Sequence, residues 1–266
     1  MIRAEYERKG TMGTDAPRAS RGTRRQAAVN VAPVLEIIVQ TVDEALSAQE
    51  GGATQLDLKS DFVEHGLTPT AGMVERICSR VNIDVIVMVR THANGMLLTP
   101  DDLAVMCTDI RLAAERGARG FLLGALTPGG RIDRRAVEIL QDASGDLPLH
   151  FHLAWELTRD PGEALEELIE LGIRGVRTTG GHGLNGKALS GRGRIRDFRE
   201  QARGRIDLLL AGGVSAKNIA LLVRETGVQN AHAGSSVRHP PNHKGVVVVS
   251  KVRQLREALD RALNGP

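Results

Sequence analysis

The feature that most constrains this 266-residue chain is an eightfold alternation of short apolar runs with longer amphipathic stretches. The apolar runs fall at 34–39, 54–59, 84–90, 120–124, 149–153, 175–178, 206–211 and 228–233, and they read as strands. Helical patterns lie between them near 43–50, 70–80, 101–116, 133–143, 161–171, 187–202 and 215–226, with a last one over 250–263. Strands joined by crossover helices run parallel. Eight such units in one domain favour closure into a single (β/α)8 barrel of the TIM type. Three junctions, at 50–53, 115–118 and 170–173, place a glycine at a helix end with a strand directly after it. That recurrence marks one repeated unit rather than two unlike domains.

Residues 1–33 break the pattern. They carry seven basic residues (Arg3, Arg8, Lys9, Arg18, Arg21, Arg24 and Arg25) against Glu5, Glu7 and Asp15, with no apolar run behind them. This predicts a disordered basic tail over 1–33, with Met12 as an alternative start, and a barrel domain over 34–266. The tail's charge of +4 exceeds the chain's +3, so the barrel itself is close to neutral. A basic surface for nucleic acid is therefore not indicated, and with aromatics at 2% there is little to stack on bases. No apolar run is long enough to span a membrane. Cys78 and Cys107 sit among apolar neighbours in helical patterns. They predict buried, reduced thiols and a cytoplasmic protein.

Side chains alternate between the two faces of a strand. The inner face is assigned to Glu36, Ile38 and Gln40 in the first strand, and to Asp57 and Lys59 in the second. In the third it is Ile86, Met88 and Arg90. In the fifth it is His150, His152 and Ala154, with Trp155 and Glu156 just beyond; in the eighth it is His232. A barrel centre is normally filled with branched apolar side chains, so these charges need partners. Their convergence toward the strand ends that carry barrel active sites predicts a charged pocket at the C-terminal mouth. Glycine-rich turns follow strands six (Gly180, Gly181) and seven (Gly212, Gly213), where backbone N–H groups can hold an anion. The basic stretch 183–196 reads as a solvated loop or lid over the start of a helix, and His239 and His243 form no metal site in their Pro-rich turn.

The order of motifs resembles the CutC copper-homeostasis family of TIM-barrel proteins, from about Leu35 to Ser236. The resemblance rests on Leu35-Glu36, Gly51-Gly52-Ala53, Gly66-Leu67-Thr68-Pro69-Thr70 and Val87-Met88-Val89-Arg90. It continues with Gly124-Ala125-Leu126-Thr127-Pro128 before Ile132-Asp133, then Phe151-His152, Thr158-Arg159-Asp160-Pro161, Thr179-Gly180-Gly181, and Ala211-Gly212-Gly213-Val214 with Asn218. It implies copper handling, with family cysteines in strand one and at the end of strand two as copper ligands. Those positions here are Ile38 and Lys59, the family's second-strand glutamate is Asp57, and the arginine after Phe151-His152 is Leu153. Copper(I) prefers thiolate and thioether donors, so this departure argues against a thiolate site.

Two readings of function follow. In the first, a CutC-like protein binds a divalent metal ion through Glu36, Asp57, His152 and His232, whose O and N donors suit Zn, Mn, Ni or Cu(II). In the second, a diverged lyase, aldolase or isomerase acts on a small phosphorylated or carboxylated molecule. Arg90 and the glycine turns would hold the anion, and His152 or Glu156 would move protons. Lys59 beside Asp57 would neutralise an oxyanion or form a Schiff base. A binding module without chemistry is a third option, and self-association as a homo-oligomer stays open. The cofactor expectation is a divalent metal ion, and the partner a small anion or that ion.

Overall fold

The computed structural model describes residues 33–264, so the tail expected over 1–33 and its Met12 lie outside the described residues except for Pro33. The strands are β1 (Leu35–Val39), β2 (Gln55–Leu58), β3 (Asp84–Met88), β4 (Gly120–Leu123), β5 (Leu149–Phe151), β6 (Gly175–Thr178), β7 (Asp207–Leu210) and β8 (Asn230–Ala233). They close into a parallel barrel in chain order, with β8 returning to pair Glu36 with His232 on β1. The helices α1 (Val42–Glu50), α2 (Ala71–Cys78), α3 (Pro100–Glu115), α4 (Arg134–Ser144), α5 (Pro161–Glu170), α6 (Ala188–Ala202), α7 (Ile219–Thr226) and α8 (Val249–Asn264) each follow their strand. This is a (β/α)8 TIM barrel. Among the described residues no helix is long and apolar enough to cross a membrane.

The sequence builds these elements locally. Thr99 and Asp102 form a reciprocal capping box at the start of α3, with Pro100 in its first turn. Asp160 caps α5 ahead of Pro161 by one-way bonds, its carboxylate accepting from the Gly162 and Glu163 N–H groups. At the far ends, Gly117 and Gly172 take φ of 97° and 73°, which lets the chain turn at once into the next strand.

The two strand faces separate as alternation requires. Leu35, Ile37, Val39, Leu56, Leu58, Val85 and Val87 face outward into the main aliphatic core beneath the helices. Ile86, Met88 and Leu122 form a small apolar cluster apart from that core, inside the barrel. One assignment fails at strand five. The strand ends at Phe151, and Leu153–Leu157 form a 3-10 turn, so Ala154 joins the outer core instead of the barrel interior. The basic stretch 183–196 is likewise no free loop. A 3-10 turn (Gly183–Asn185) leads into α6, which carries Arg192, Arg194 and Arg196.

Beyond β8, the strand pair β9 (Arg238–His239) and β10 (Val246–Val247) is anchored by Arg238. Its buried guanidinium forms two contacts with Glu44 of α1, donates 2.9 Å to the Ile38 carbonyl, and also bonds the Gly245 carbonyl. Removing one partner of a buried ion pair strands the other charge. Arg238→Met is expected to lower unfolding free energy by about 3–5 kcal/mol in urea denaturation. Adding Glu44→Gln should recover part of that loss, and a double variant no more stable than the single one would refute the explanation.

Candidate functional site

Two carboxylates define the floor of the barrel mouth. Glu36 on β1 is fully buried and meets Arg177 of β6 at two points: Nε donates to Oε1 at 2.9 Å, and a terminal nitrogen bonds Oε2. Gln55 donates to the same carboxylate. Asp57 on β2 is also fully buried, with Lys59 Nζ 2.8 Å and His232 Nε2 3.0 Å from its Oδ2. His232 lies 3.7 Å from Glu36 and so bridges the two acids.

Above this floor opens a cavity of about 180 Å³. Asp57, Lys59, Arg90, His152, Arg177 and His232 line it, and Gly212 and Gly213 reach it from the turn after β7. Arg90 leaves the end of β3 and is oriented by the Glu64 and Gly66 carbonyls, at 2.8 and 3.2 Å. The Nδ1 of His152 accepts from the Ala154 N–H at 3.2 Å, which leaves the ring proton on Nε2.

The remaining expected residues sit elsewhere. Glu156 does not line the cavity. The 3-10 turn breaks the strand alternation and points its carboxylate into the β6–α6 loop. There it accepts from Thr178 Oγ1 (2.7 Å), the Thr179 N–H (2.9 Å), the Gly180 N–H (3.1 Å), the Gly183 N–H (3.1 Å) and the Thr179 hydroxyl. Gly180 thus spends its N–H on Glu156, and Gly181 packs under the Arg194 guanidinium, so neither forms the anion turn expected of them. Of the four expected metal ligands, Glu36, Asp57 and His232 bring donor atoms within 4.8 Å of one another, without His152.

The cavity also recruits residues that the strand pattern did not single out. Arg177 could have been found by extending the alternation to strand six. His65, His243 and Lys187 arrive from three separate loops, with Phe62 stacked on His243 at 4.3 Å between ring centres.

The electrostatics are those of a cationic cleft. Burial opposes ionisation of Asp57, but Lys59, His232 and Arg177 outweigh it and hold the carboxyl well below its usual range. His152 is pushed down to about 3, first by burial and then by Arg90 and Lys59. His65 and His243 also shift down, through burial and then neighbouring positive groups. The imidazoles of His65, His152 and His243 are therefore neutral donors or acceptors at neutral pH.

These donors do not suit copper(I). No cysteine lines the cavity, because Cys78 and Cys107 lie on α2 and α3, and among the described residues Met88 and Met96 are its only sulfur. The two acids are hard oxygen donors already countered by Arg177 and Lys59, so a cation would have to displace both.

Fold and site together define a TIM-barrel protein with a histidine-rich, cation-lined pocket at the C-terminal mouth of its strands. The family model described as CutC family matches residues 33–237, and the chain belongs to that family, as a member whose pocket lacks cysteines. A "family protein CutC" of Xylella fastidiosa (strain 9a5c) is 34% identical over 255 residues, covering 91% of this chain and 94% of the relative. The copper homeostasis protein cutC homolog of Mus musculus is 33% identical, covering 84% and 88%. The crystal structure of CutC from Streptococcus agalactiae superposes with a TM-score of 0.71 at 26% identity, covering 76% of this chain and 98% of that one.

Glu156→Gln puts an amide donor where five donors converge, leaving at least one buried N–H unpaired. A loss of about 1–3 kcal/mol is expected, with faster hydrogen exchange at the amides of 179–183; unchanged exchange there would remove Glu156 as the loop's anchor.

His152 gives a pH signature. Its folded pKa of about 3 lies below the unfolded value near 6.5. Its contribution to stability is therefore complete above about pH 6.5 and is lost as pH falls toward 3, by up to about 1.4 kcal/mol per pH unit. His150 shifts the same way and adds to the slope. Urea unfolding between pH 7 and 4.5 should show this fall, and His152→Gln should flatten part of it; an unaltered slope would contradict the assignment.

Proposed function

We propose that this CutC-family chain serves copper homeostasis, the role in the name of its mouse relative, by binding at the barrel mouth through O and N donors instead of thiolates. The observation that carries the reading is the meeting of Glu36, Asp57 and His232 at the mouth's floor, the one such donor group among the described residues. Carboxylate and imidazole donors suit Cu(II), Zn, Ni or Mn better than Cu(I). A cytoplasmic setting agrees with two cysteines that are both free.

Because Arg177 and Lys59 occupy the carboxylates, a divalent ion competes with two fixed cations, and binding is weak. Removing one competitor exposes the acidic pair. Titration calorimetry with Cu(II) and Zn(II) should show weak binding by the natural protein and at least about tenfold tighter binding by Arg177→Met. Asp57→Asn should abolish binding in both backgrounds. If neither the natural protein nor Arg177→Met takes up either ion, direct metal binding at this group is rejected.

A further inference from the structure

We infer that the barrel mouth is a cradle for a small organic oxyanion, a carboxylate or phosphate that also carries a hydroxyl group. The inference rests on the mouth being the working site, as proposed above, and not on metal binding.

Charge is the first ground. Lys59, Arg90, Arg177 and Lys187 line the cavity, and among the described residues Asp57 is the only carboxylate that lines it. With Glu36 counted beneath Arg177, four cations still face two anions. Converging cations in a cleft raise the local concentration of anions and favour carboxylate or phosphate. The same positive field is what bears on His152, whose ring is held neutral with its proton on Nε2.

Unpartnered polar atoms are the second ground. Four of the lining residues each carry a buried polar atom with no hydrogen-bond partner: Arg90 Nε, Arg177 NH1, His152 Nε2 and Asp57 Oδ1. All four side chains are at least nine-tenths buried. Buried polar groups in native proteins are nearly always satisfied, so several exceptions among the residues around one cavity point to a missing ligand. Three of the atoms are N–H donors and call for acceptor oxygens. The fourth is a carboxylate oxygen, which accepts only, and it calls for a hydroxyl. A bare cation would satisfy Asp57 alone and face the three donors as repulsive neighbours.

Shape sets the size. Ile38, Met88 and Leu122 give the cavity an apolar side, which suits a carbon skeleton. At about 180 Å³ it is slightly larger than a cavity that holds benzene, so it encloses roughly seven non-hydrogen atoms of a small ligand whose remainder reaches into the open mouth.

The test uses the full chain after EDTA treatment, probed with L-malate and glycerol 3-phosphate, and with glycerol as the uncharged control. Calorimetry and thermal shift should show binding and a raised Tm with at least one of the two anions and not with glycerol, weakening as salt rises. Arg90→Met should weaken the anion by about tenfold or more. Arg90 also orients a loop, so the exposed Lys187→Ala is the second variant, expected to weaken binding by about threefold. Dissociation constants above about 1 mM for both anions would overturn the inference. So would glycerol binding as tightly as the anions, undiminished binding by both variants, or anion binding that appears only when Zn(II) is added back. A silent metal titration with intact anion binding would reject the metal reading alone.

Discussion

The ion pair between Glu36 and Arg177 is the contact on which the interior of this barrel depends. Both side chains are essentially inaccessible to water, and each would cost several kcal/mol if buried alone. They stand on β1 and β6, so their meeting spans the barrel axis and ties strands that share no ladder. The pair displaces the branched apolar layer that normally fills such a barrel, leaving Ile86, Met88 and Leu122 as a small remnant on one side. The Trp155 indole holds the Arg177 carbonyl at 2.8 Å from outside the barrel, so the arginine is fixed at its backbone as well as at its guanidinium. With Glu36 satisfied in this way, Asp57 is left to Lys59 and His232, and its second oxygen has no partner.

Glu156 does for the rim what Arg177 does for the floor. By gathering donors from 178–183 it folds the segment after β6 back on itself, and the 3-10 turn that follows carries Leu184, Asn185 and Lys187 to the cavity edge. A buried carboxylate with this many donors is a fully satisfied network, which specifies one loop conformation. Its chemistry is structural because its lone pairs are already engaged.

The fold was legible because two periodicities, of about two and about 3.6 residues, alternate eight times between Leu35 and Asn264. The same period of two placed Glu36, Asp57, His152 and His232 on the inner face. It stops carrying information where the strand stops. Ala154 and Glu156 lie past Phe151 in a 3-10 turn, whose threefold period turned one into the outer core and the other into a loop. Arg177 was obscured for a different reason. Its strand is four residues long, and its inner partner, Gly175, has no side chain to mark the face. His65, His243 and Lys187 reach the mouth through loops whose ends the barrel alone brings together, and no local pattern in the chain encodes that meeting.

Lys59 is one of the positions where the chain departs from the pattern that the family resemblance implies. The resemblance sets a thiolate copper ligand at this position and another at Ile38. Replacing a thiolate with an alkyl group at Ile38 only removes a donor. Replacing one with an ammonium at Lys59 removes a donor and also installs a competitor, because Nζ occupies the very oxygen of Asp57 that His232 shares. Aspartate in place of the family's glutamate shortens the carboxylate's reach by one methylene, and here the side chain stays within the short span of Lys59 and His232. The two changes act together. They leave a region whose surplus charge is positive, in which a metal ion has to compete with Lys59 for Asp57 and the field favours the oxyanion inferred above.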